Sequence, residues 1–190
     1  MIKSVIKQSI AAHQALLSQL EPLIPVIEQV GQRLNDCLKN GGKILLMGNG
    51  GSAADSQHIA AEIVVRYQAE RRGLAAIALT TDTSILTAAG NDFGFEYIYS
   101  RQIEALCSDK DAVIGISTSG NSANILRAMA TARELGATTI GMTGAGGGKL
   151  AAHCDVLLAV PSPVTARVQE MHILIGHILC ELIDHANATA

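Results

Sequence analysis

The chain has 190 residues, a length typical of one α/β domain, and a chain of this size buries roughly 70% of its unfolded surface without metal or disulfide staples. Its composition is 48% hydrophobic, 16% charged and 3% aromatic, which excludes disordered, collagen-like and low-complexity classes. The formal net charge is -3 and tryptophan is absent, so the basic stripe and the aromatic platform of nucleic-acid-binding proteins are both missing. We therefore expect no nucleic-acid partner.

The apolar stretches are too interrupted to direct the chain to a membrane. Polar side chains at His13 and Gln14 break the first stretch, so we expect no signal peptide. The most apolar run, residues 173–183, contains His177 and Glu181 and is too short to span a bilayer. Four widely spaced cysteines form no CxxC pair and suit reduced thiols: Cys37, Cys107, Cys154 and Cys180. These features predict a cytoplasmic protein with no membrane partner.

The first 40 residues predict a pair of helices. Apolar side chains recur at helical spacing over residues 6–20 and again over residues 26–38. Pro22 and Pro25 punctuate the chain between these two stripes. The sequence Asn40-Gly41-Gly42 then ends the second helix.

Beyond residue 40, short apolar runs alternate with helical patterns. The predicted strands are Lys43–Met47, Ala75–Leu79, Ala112–Ile116, Thr138–Met142 and Val156–Val160. The predicted helices are Ser52–Tyr67, Ser84–Ala89, Glu96–Leu106, Asn121–Leu135, Lys149–His153 and Thr165–His185. Continuous apolar strands suit a sheet that is covered on both faces, and the alternation implies right-handed βαβ units. The sequence thus predicts one domain over residues 1–190, in which the helical pair of residues 1–40 precedes a five-stranded doubly wound parallel sheet in residues 41–190.

The loop after the first predicted strand is rich in glycine. It reads Gly48-Asn49-Gly50-Gly51-Ser52 and leads directly into a predicted helix. Glycines let backbone N–H groups approach a ligand without obstruction from Cβ atoms, and Ser52 is positioned to cap the helix. A tight turn followed by a cap would leave the same pattern. The loop has neither the GK[ST] of a Walker motif nor a GxGxxG fingerprint, which argues against a nucleotide site.

The loop after the third predicted strand is rich in hydroxyl groups. It reads Ser117-Thr118-Ser119-Gly120-Asn121-Ser122 and precedes another predicted helix. Free N–H groups and the helix dipole add to these donors, so the array favours a dianionic phosphate without a lysine. A cap needs only one hydroxyl and leaves the others unexplained. A third loop, Thr143-Gly144-Ala145-Gly146-Gly147-Gly148, is equally compatible with a plain flexible connection.

Two predicted helices carry side chains suited to proton transfer or metal binding. His58 and Glu62 lie four residues apart on one helix face, which suits a shared metal ion, an acid–base couple or an exposed ion pair. On the final helix, Gln169 and His177 are about two turns apart and lie within a quadrant of each other. A lone histidine in an apolar run is more often a core residue than a ligand, and that alternative stays open for His177.

These segments together resemble the sugar isomerase (SIS) domain family and, within it, the bacterial phosphoheptose isomerases. The resemblance covers essentially the whole chain and rests on the first two loops, residues 57–62, residues 90–94, residues 168–172 and the later His177. The serine-rich loop alone indicates only an SIS phosphosugar site. Four side chains narrow the resemblance to the heptose enzymes: His58, Glu62, Gln169 and His177.

The resemblance implies an enzyme that converts sedoheptulose 7-phosphate to D-glycero-D-manno-heptose 7-phosphate, the first step of ADP-heptose synthesis for the lipopolysaccharide core. It implies one Zn2+ per subunit, with the ligands His58, Glu62, Gln169 and His177. It implies substrate contacts at Asn49, Gly50, Gly51, Ser52, Glu62, Asn91, Asp92, Ser117, Thr118, Ser119, Ser122 and Gln169. Family members are homotetramers with active sites at subunit contacts, and their N-terminal and final helices pack between subunits.

The residues suit this aldose–ketose chemistry. Moving the carbonyl from C2 to C1 requires a base that takes the C1 proton, a cis-enediol, and the return of a proton to C2. A carboxylate and an imidazole can make these transfers near neutral pH, so Glu62 and His177 are the predicted catalytic pair. A metal beside the two oxygens would stabilise the enediolate charge. Either residue can be the base, and zinc can be catalytic or structural.

Two alternatives share the predicted fold. One is a non-catalytic SIS paralogue resembling the DnaA initiator-associating protein, and the presence of Glu62 and His177 argues against it. The other is an SIS enzyme or sensing module for a different phosphosugar. Such modules usually carry a DNA-binding or second catalytic domain, for which this chain shows no sequence.

Overall fold

The structure is a computed structural model that describes residues 1–188. Its α-helices are α1 (Ile2–Leu17), α2 (Ile24–Lys39), α3 (Gly51–Val64), α4 (Thr83–Asp92), α5 (Ser100–Leu106), α6 (Ala123–Glu134) and α7 (Thr165–Asn187). Its strands are β1 (Ile44–Gly48), β2 (Ala76–Ala78), β3 (Ala112–Ile116), β4 (Thr138–Thr143) and β5 (Val156–Ala159). Short 3-10 turns cover Glu21–Leu23, Phe95–Tyr97 and Gly148–His153.

The strands form one parallel sheet in the order β2-β1-β3-β4-β5. The prediction of a five-stranded doubly wound sheet is therefore confirmed. In this strand order the chain reverses direction across the sheet between β1 and β3, and ligands bind at such a switch point beyond the carboxyl ends of the strands. The loops that follow β1 and β3 are the glycine-rich and serine-rich loops of the sequence. They therefore lie side by side.

Helices cover both faces of the sheet, which explains the continuous apolar strands. Every residue of β1 and β3 is buried. On one face the apolar side chains of α2, α3 and α7 pack against the sheet, and on the other those of α4, α5 and α6 do so. Helix α1 packs on α7, at the outside of the first layer. None of the helices in residues 1–188 is long and apolar enough to cross a membrane.

Local sequence signals set the ends of several helices. Prolines occupy the first turns of the Glu21–Leu23 segment and of α2, where a missing N–H costs little. Helix α2 ends at Lys39 with Asn40 as its C-cap, and Gly41 then adopts a φ of 78°, which favours glycine. At the start of α4, the Asp82 carboxylate accepts a hydrogen bond from the Ile85 N–H at 2.9 Å.

Three helices between β2 and β5 differ from prediction in length or type. Helix α4 continues to Asp92 rather than ending at Ala89, so residues 91 and 92 lie in a helix and not in a loop. The predicted helix Glu96–Leu106 is a 3-10 turn at Phe95–Tyr97 followed by α5, because Gly94 (φ 102°) and the turn break it. The segment predicted as the helix Lys149–His153 is a 3-10 turn.

Candidate active site

The glycine-rich loop turns sharply from β1 into α3. Gly50 is the residue before the helix, with a φ of 58°, and α3 begins at Gly51. The prediction that Ser52 caps this helix is wrong, because Ser52 already lies in the first turn, where it is only 7% exposed. Gly50 and Gly51 are exposed, so the backbone of this turn faces solvent.

A reciprocal pair of amides joins the glycine-rich loop to the helix that follows the serine-rich loop. Asn49 Nδ2 donates to Asn124 Oδ1 at 2.9 Å, and Asn124 Nδ2 donates to Asn49 Oδ1 at 2.8 Å. Asn124 is only 2% exposed. Both amide groups are engaged in holding the two loops together, so the Asn49 side chain has a positioning role. The sequence analysis did not single out Asn124, although it lies two residues after the serine-rich loop.

The serine-rich loop forms a compact turn at the N-terminus of α6. Ser122 is the N-cap residue, because α6 begins at Ala123 and so two positions later than predicted, and its side chain does not cap the helix. Its Oγ lies instead 3.0 Å from the Oγ of Ser117. The predicted helix start at Asn121 is wrong, because Asn121 donates its side-chain amide to the Ser119 carbonyl at 2.8 Å and stays in the turn. Thr118 is partly exposed and Ser119 is exposed, so both hydroxyls are open to a ligand.

The loop after β4, residues 144–148, is held against the serine-rich loop by hydrogen bonds and close packing. It is therefore not a plain flexible connection. Gly144 N–H donates to the Thr118 carbonyl at 2.9 Å, and Leu150 N–H donates to the Gly120 carbonyl at 2.9 Å. A Cβ at Gly120 would lie 2.1 Å from the carbonyl oxygen of Gly147. The two loops approach this closely because glycine occupies the contact.

Helices α3 and α7 bring the predicted proton-transfer residues together. His58 Nε2 lies 2.9 Å from His177 Nε2 and 3.6 Å from Glu62 Oε1. His58 is exposed and the other two are partly exposed. The interpretation of His177 as a plain core residue is therefore wrong, because its ring reaches a polar, solvent-accessible cluster.

An aromatic residue that the sequence analysis missed supports this cluster. Tyr67, three residues beyond the end of α3, stacks on His177 with ring centroids 5.4 Å apart and an interplanar angle of 18°. The only signal in the sequence was a tyrosine just after the helix that carries His58 and Glu62. A stacked ring restricts the rotation of the imidazole that it covers.

Gln169 contacts the beginning of α3 and not the His58–Glu62–His177 cluster. A Cβ on Gly51 would lie 2.0 Å from Gln169 Nε2. Gln169 also lies beside Asp55: burial raises the pKa of Asp55, and the Gln169 side chain and the charge of His58 oppose this rise only in part. One oxygen of Asp55, Oδ2, is buried without a hydrogen-bond partner. Asp55 lies three residues before His58, a spacing by which the sequence could have indicated it.

Asn91 and Asp92 lie apart from these groups in the single chain. They occupy the last turn of α4, both are exposed, and Asn91 Nδ2 donates to Asp92 Oδ1 at 2.8 Å. No hydrogen bond or ion pair within residues 1–188 joins them to the other predicted site residues. Their assignment to the substrate site stays a prediction.

The donor chemistry of the cluster suits zinc, although the side chains do not form a ready coordination cage. Zinc prefers imidazole nitrogen and carboxylate oxygen, which His58, His177 and Glu62 supply within 3.6 Å of His58 Nε2. The two imidazoles are in direct contact, and across residues 1–188 no three His, Cys, Asp or Glu side chains are arranged to hold a metal ion. The predicted fourth ligand, Gln169, is turned towards Gly51.

Comparisons with known proteins identify a family and similar chains. Residues 9–144 match the SIS domain family. The phosphoheptose isomerase 1 of Campylobacter jejuni is 57% identical over 174 residues, covering 92% of this chain and 94% of that protein. The phosphoheptose isomerase of Aliarcobacter butzleri is 52% identical over 185 residues, covering 97% of this chain and 98% of that protein.

Solved structures agree at the level of the whole fold. The phosphoheptose isomerase of Neisseria gonorrhoeae superposes with a TM-score of 0.92 at 46% identity, covering 97% of this chain and 100% of that chain. The enzyme from Francisella tularensis superposes with a TM-score of 0.89 at 41% identity, covering 97% of this chain and 96% of that one. The matches extend over nearly the whole chain, from the loops at the β1/β3 switch point to the long final helix. This chain therefore belongs to the phosphoheptose isomerase family of SIS-domain proteins.

Proposed function

We propose that this chain is an aldose–ketose isomerase that converts sedoheptulose 7-phosphate to D-glycero-D-manno-heptose 7-phosphate. The observation that carries the proposal is the convergence of His58, Glu62 and His177 from α3 and α7, with contacts of 2.9 and 3.6 Å. Relatives at 57% and 52% identity that bear the name phosphoheptose isomerase support the same substrate class.

The serine-rich loop is the proposed phosphate site. It lies at the N-terminus of the twelve-residue helix α6, where the Ser122 side chain makes no capping hydrogen bond and the Ile125 N–H is bonded to Asn124 Oδ1 at 2.9 Å. Hydroxyl donors at Thr118 and Ser119 add to this array, and the helix dipole favours the dianion. Amide pairing between Asn49 and Asn124 keeps the neighbouring glycine-rich loop beside this site. The sugar would extend from the phosphate towards α3 and α7.

Glu62 and His177 are the proposed proton-transfer groups. In the forward direction a base takes a proton from C1 of the ketose, and the C1–C2 double bond of the enediol forms as the C2 carbonyl oxygen gains a proton. The O1 hydroxyl then loses its proton to give the C1 aldehyde, and C2 receives a proton. A carboxylate and an imidazole supply the two required exchangeable groups. Tyr67, stacked 5.4 Å from His177, keeps that imidazole oriented.

We propose that the same cluster holds one Zn2+ per subunit. His58, Glu62 and His177 provide the nitrogen and oxygen donors, and Gln169, two turns before His177 on α7, is the proposed fourth ligand. When bound, zinc supplies Lewis acidity that stabilises negative charge on the sugar oxygens. The remaining substrate contacts are proposed at Gly50, Gly51, Ser52, Asn91, Asp92 and Ser117.

The proposed assembly is a homotetramer with active sites at subunit contacts. Helix α1 leaves large apolar side chains in solvent, among them Ile2, Val5, Ile6 and Ile10, each more than half exposed in the single chain. An apolar helix face of this kind is typical of a surface that another subunit covers. We place the reaction in the cytoplasm, as the first step of ADP-heptose synthesis for the lipopolysaccharide core.

A coupled assay of sedoheptulose 7-phosphate turnover, with zinc supplied, tests the proposed function. We expect turnover and, in deuterated solvent, exchange of the C1 proton that reports enediol formation. Light scattering of the same sample tests the tetramer. Absence of both turnover and exchange would favour a non-catalytic adaptor, and turnover of a hexose phosphate in preference would favour a different phosphosugar isomerase.

A further inference from the structure

A buried ion pair lies directly behind the proposed catalytic cluster. Arg71 Nε donates to Asp184 Oδ1 at 2.6 Å, and the two side chains are 0% and 4% exposed. Arg71 lies in the segment that follows α3, and Asp184 lies on α7, about two turns beyond His177. The pair therefore connects the two elements that carry the cluster.

Arg71 also forms hydrogen bonds with the backbone of the last turn of α3. Arg71 Nη2 donates to the Glu62 carbonyl at 2.9 Å, and Nη1 donates to the Ile63 carbonyl at 2.9 Å. Carbonyls in the last turn of a helix have no partner within the helix, so the guanidinium supplies donors to both, and Ile63 also accepts from the Leu74 N–H at 3.3 Å. The backbone of Glu62 is thereby held by the same side chain that pairs with Asp184.

Asp184 also forms hydrogen bonds with the backbone of the segment that carries Tyr67. Asp184 Oδ2 accepts hydrogen bonds from the N–H groups of Gln68 at 2.7 Å and Ala69 at 2.8 Å. These contacts hold the Asp184 pKa below its usual range, although burial alone would raise it. Tyr67 immediately precedes this anchored dipeptide and stacks on His177. One ion pair thus fixes the backbone of Glu62 and the ring that orients His177.

We propose that Arg71 and Asp184 are positioning residues for the isomerisation, and that they set the relative placement of Glu62 and His177. The inference rests on the proposed function of those two residues. A buried ion pair is not required for stability, since an apolar pair of the same shape often serves as well. What an apolar pair cannot supply is the set of directed hydrogen bonds to Glu62, Ile63, Gln68 and Ala69.

The chain contains a second ion pair with a buried aspartate, and this pair serves as a matched control. Lys43 Nζ lies 2.7 Å from Asp111 Oδ2, and Asp111 is 1% exposed. Asp111 also accepts hydrogen bonds from backbone and side-chain donors, as Asp184 does. This pair lies at the amino ends of β1 and β3, and no hydrogen bond or ion pair within residues 1–188 joins it to His58, Glu62 or His177. Its loss should lower stability without moving Glu62 or His177.

The test compares Asp184→Asn with Asp111→Asn in full-length protein, well below both melting transitions. We expect Asp184→Asn to lower kcat by about tenfold or more while KM changes by less than about twofold, because the serine-rich loop is untouched. Asp111→Asn should keep kcat within about twofold of the unsubstituted protein at a similar loss of Tm. Arg71→Lys, which keeps the charge but loses the guanidinium fork, should also lower kcat. It serves as the test if Asp184→Asn does not fold.

Amide hydrogen exchange supplies a readout that does not depend on activity. Exchange at Gln68 and Ala69 should accelerate in Asp184→Asn and stay unchanged in Asp111→Asn. An unchanged kcat in Asp184→Asn or Arg71→Lys, or an equal loss of kcat in Asp111→Asn, would overturn the positioning role. An unsubstituted protein without turnover would instead overturn the proposed function, and the positioning role with it. The two failures are therefore distinguishable.

Discussion

His58 and His177 face each other across 119 residues of sequence, with their Nε2 atoms 2.9 Å apart. At this distance one Nε2 donates its proton and the other accepts it, so the two rings cannot both present a proton to each other. A cation bound between them would replace this hydrogen bond and use both lone pairs. The contact therefore couples the proposed metal site directly to the proposed catalytic imidazole.

The first prediction follows from this contact. Protein prepared with zinc should contain about one metal ion per chain, and His58→Ala should lower that content several-fold, because an imidazole ligand is lost. His185→Ala, at the exposed far end of α7, is the control and should keep the metal. Elemental analysis of both proteins makes the measurement. Equal zinc content in the two variants would contradict the proposed ligand.

The second prediction concerns proton transfer. Glu62→Gln and His177→Gln keep a polar side chain but remove the titratable group, so each should lower kcat by about 10²-fold or more. Both should still bind substrate through the serine-rich loop. Solvent deuterium exchange at C1 should slow in parallel, since it reports the enediol alone. Retention of rapid exchange in both variants would show that other groups transfer the protons.

The third prediction concerns the phosphate site. Ser119→Ala combined with Ser122→Ala should raise KM by about tenfold or more, because hydrogen bonds to a charged group contribute about 1.5–3 kcal/mol each. The Tm should fall little, since neither hydroxyl packs in the core and Ser122 does not cap α6 with its side chain. Thr131→Ala, on the exposed part of the same helix, is the control. A double variant with unchanged KM and Tm would refute the phosphate assignment.

The fourth prediction uses the close approach of Gly51 to Gln169. In Gly51→Ala the new Cβ would lie 2.0 Å from Gln169 Nε2, so the glutamine side chain must move. We expect kcat/KM to fall by about tenfold or more, since misplacement by about 1 Å can cost as much as 10²-fold. Gly90→Ala is the control, because its Cβ meets only Ile98 Cγ2 at 3.8 Å. Equal kinetics of the two variants would show that the position of Gln169 does not matter.

The fifth prediction concerns acid stability. Burial lowers the pKa of His172 to about 4 from its usual 6.5, and its hydrogen bond with the Thr143 carbonyl opposes this shift only in part. Between these two values the unfolded chain binds a proton that the folded chain does not. The free energy of unfolding should therefore fall as pH decreases from 6.5 towards 4, by up to about 3 kcal/mol, and the contribution of His172 should be constant below pH 4.

Urea unfolding at several pH values checks this expectation. His172→Gln keeps a side-chain donor for Thr143 but does not titrate, so its stability should change less over the same pH interval. His153→Gln, which alters a histidine at the protein surface, is the control and should keep the slope of the unsubstituted protein. Parallel slopes in all three proteins would show that His172 is not the titrating group.

Most of the fold could be predicted from local patterns. Residues 112–116 form a strand with the predicted bounds, and the other four strands differ from prediction by one residue at one or both ends. A continuous apolar run reflects a strand that is buried on both faces, and a helical stripe reflects a helix that is buried on one face. The helix ends were less predictable, as at α4, because capping depends on geometry that composition does not specify.

Less of the candidate site could be predicted. The spacing of His58 and Glu62 predicted that they lie on one helix face. The serine-rich loop was identifiable from its hydroxyl groups. Nothing local indicated that Asn124 would pair with Asn49, that Tyr67 would stack on His177, or that Gln169 would turn towards Gly51. Each of these contacts joins residues from different elements.

The sequence by itself determined the alternation of strands and helices, the two loops beyond β1 and β3, and the identity of the chemical groups. Only the tertiary structure decided which groups meet. The parallel sheet brings the carboxyl ends of β1 and β3 together, and α7 returns across the domain to bring His177 to within 2.9 Å of His58. The periodicity of a segment shows which of its faces is buried. It does not show which distant segment covers that face, because this depends on packing over the whole chain.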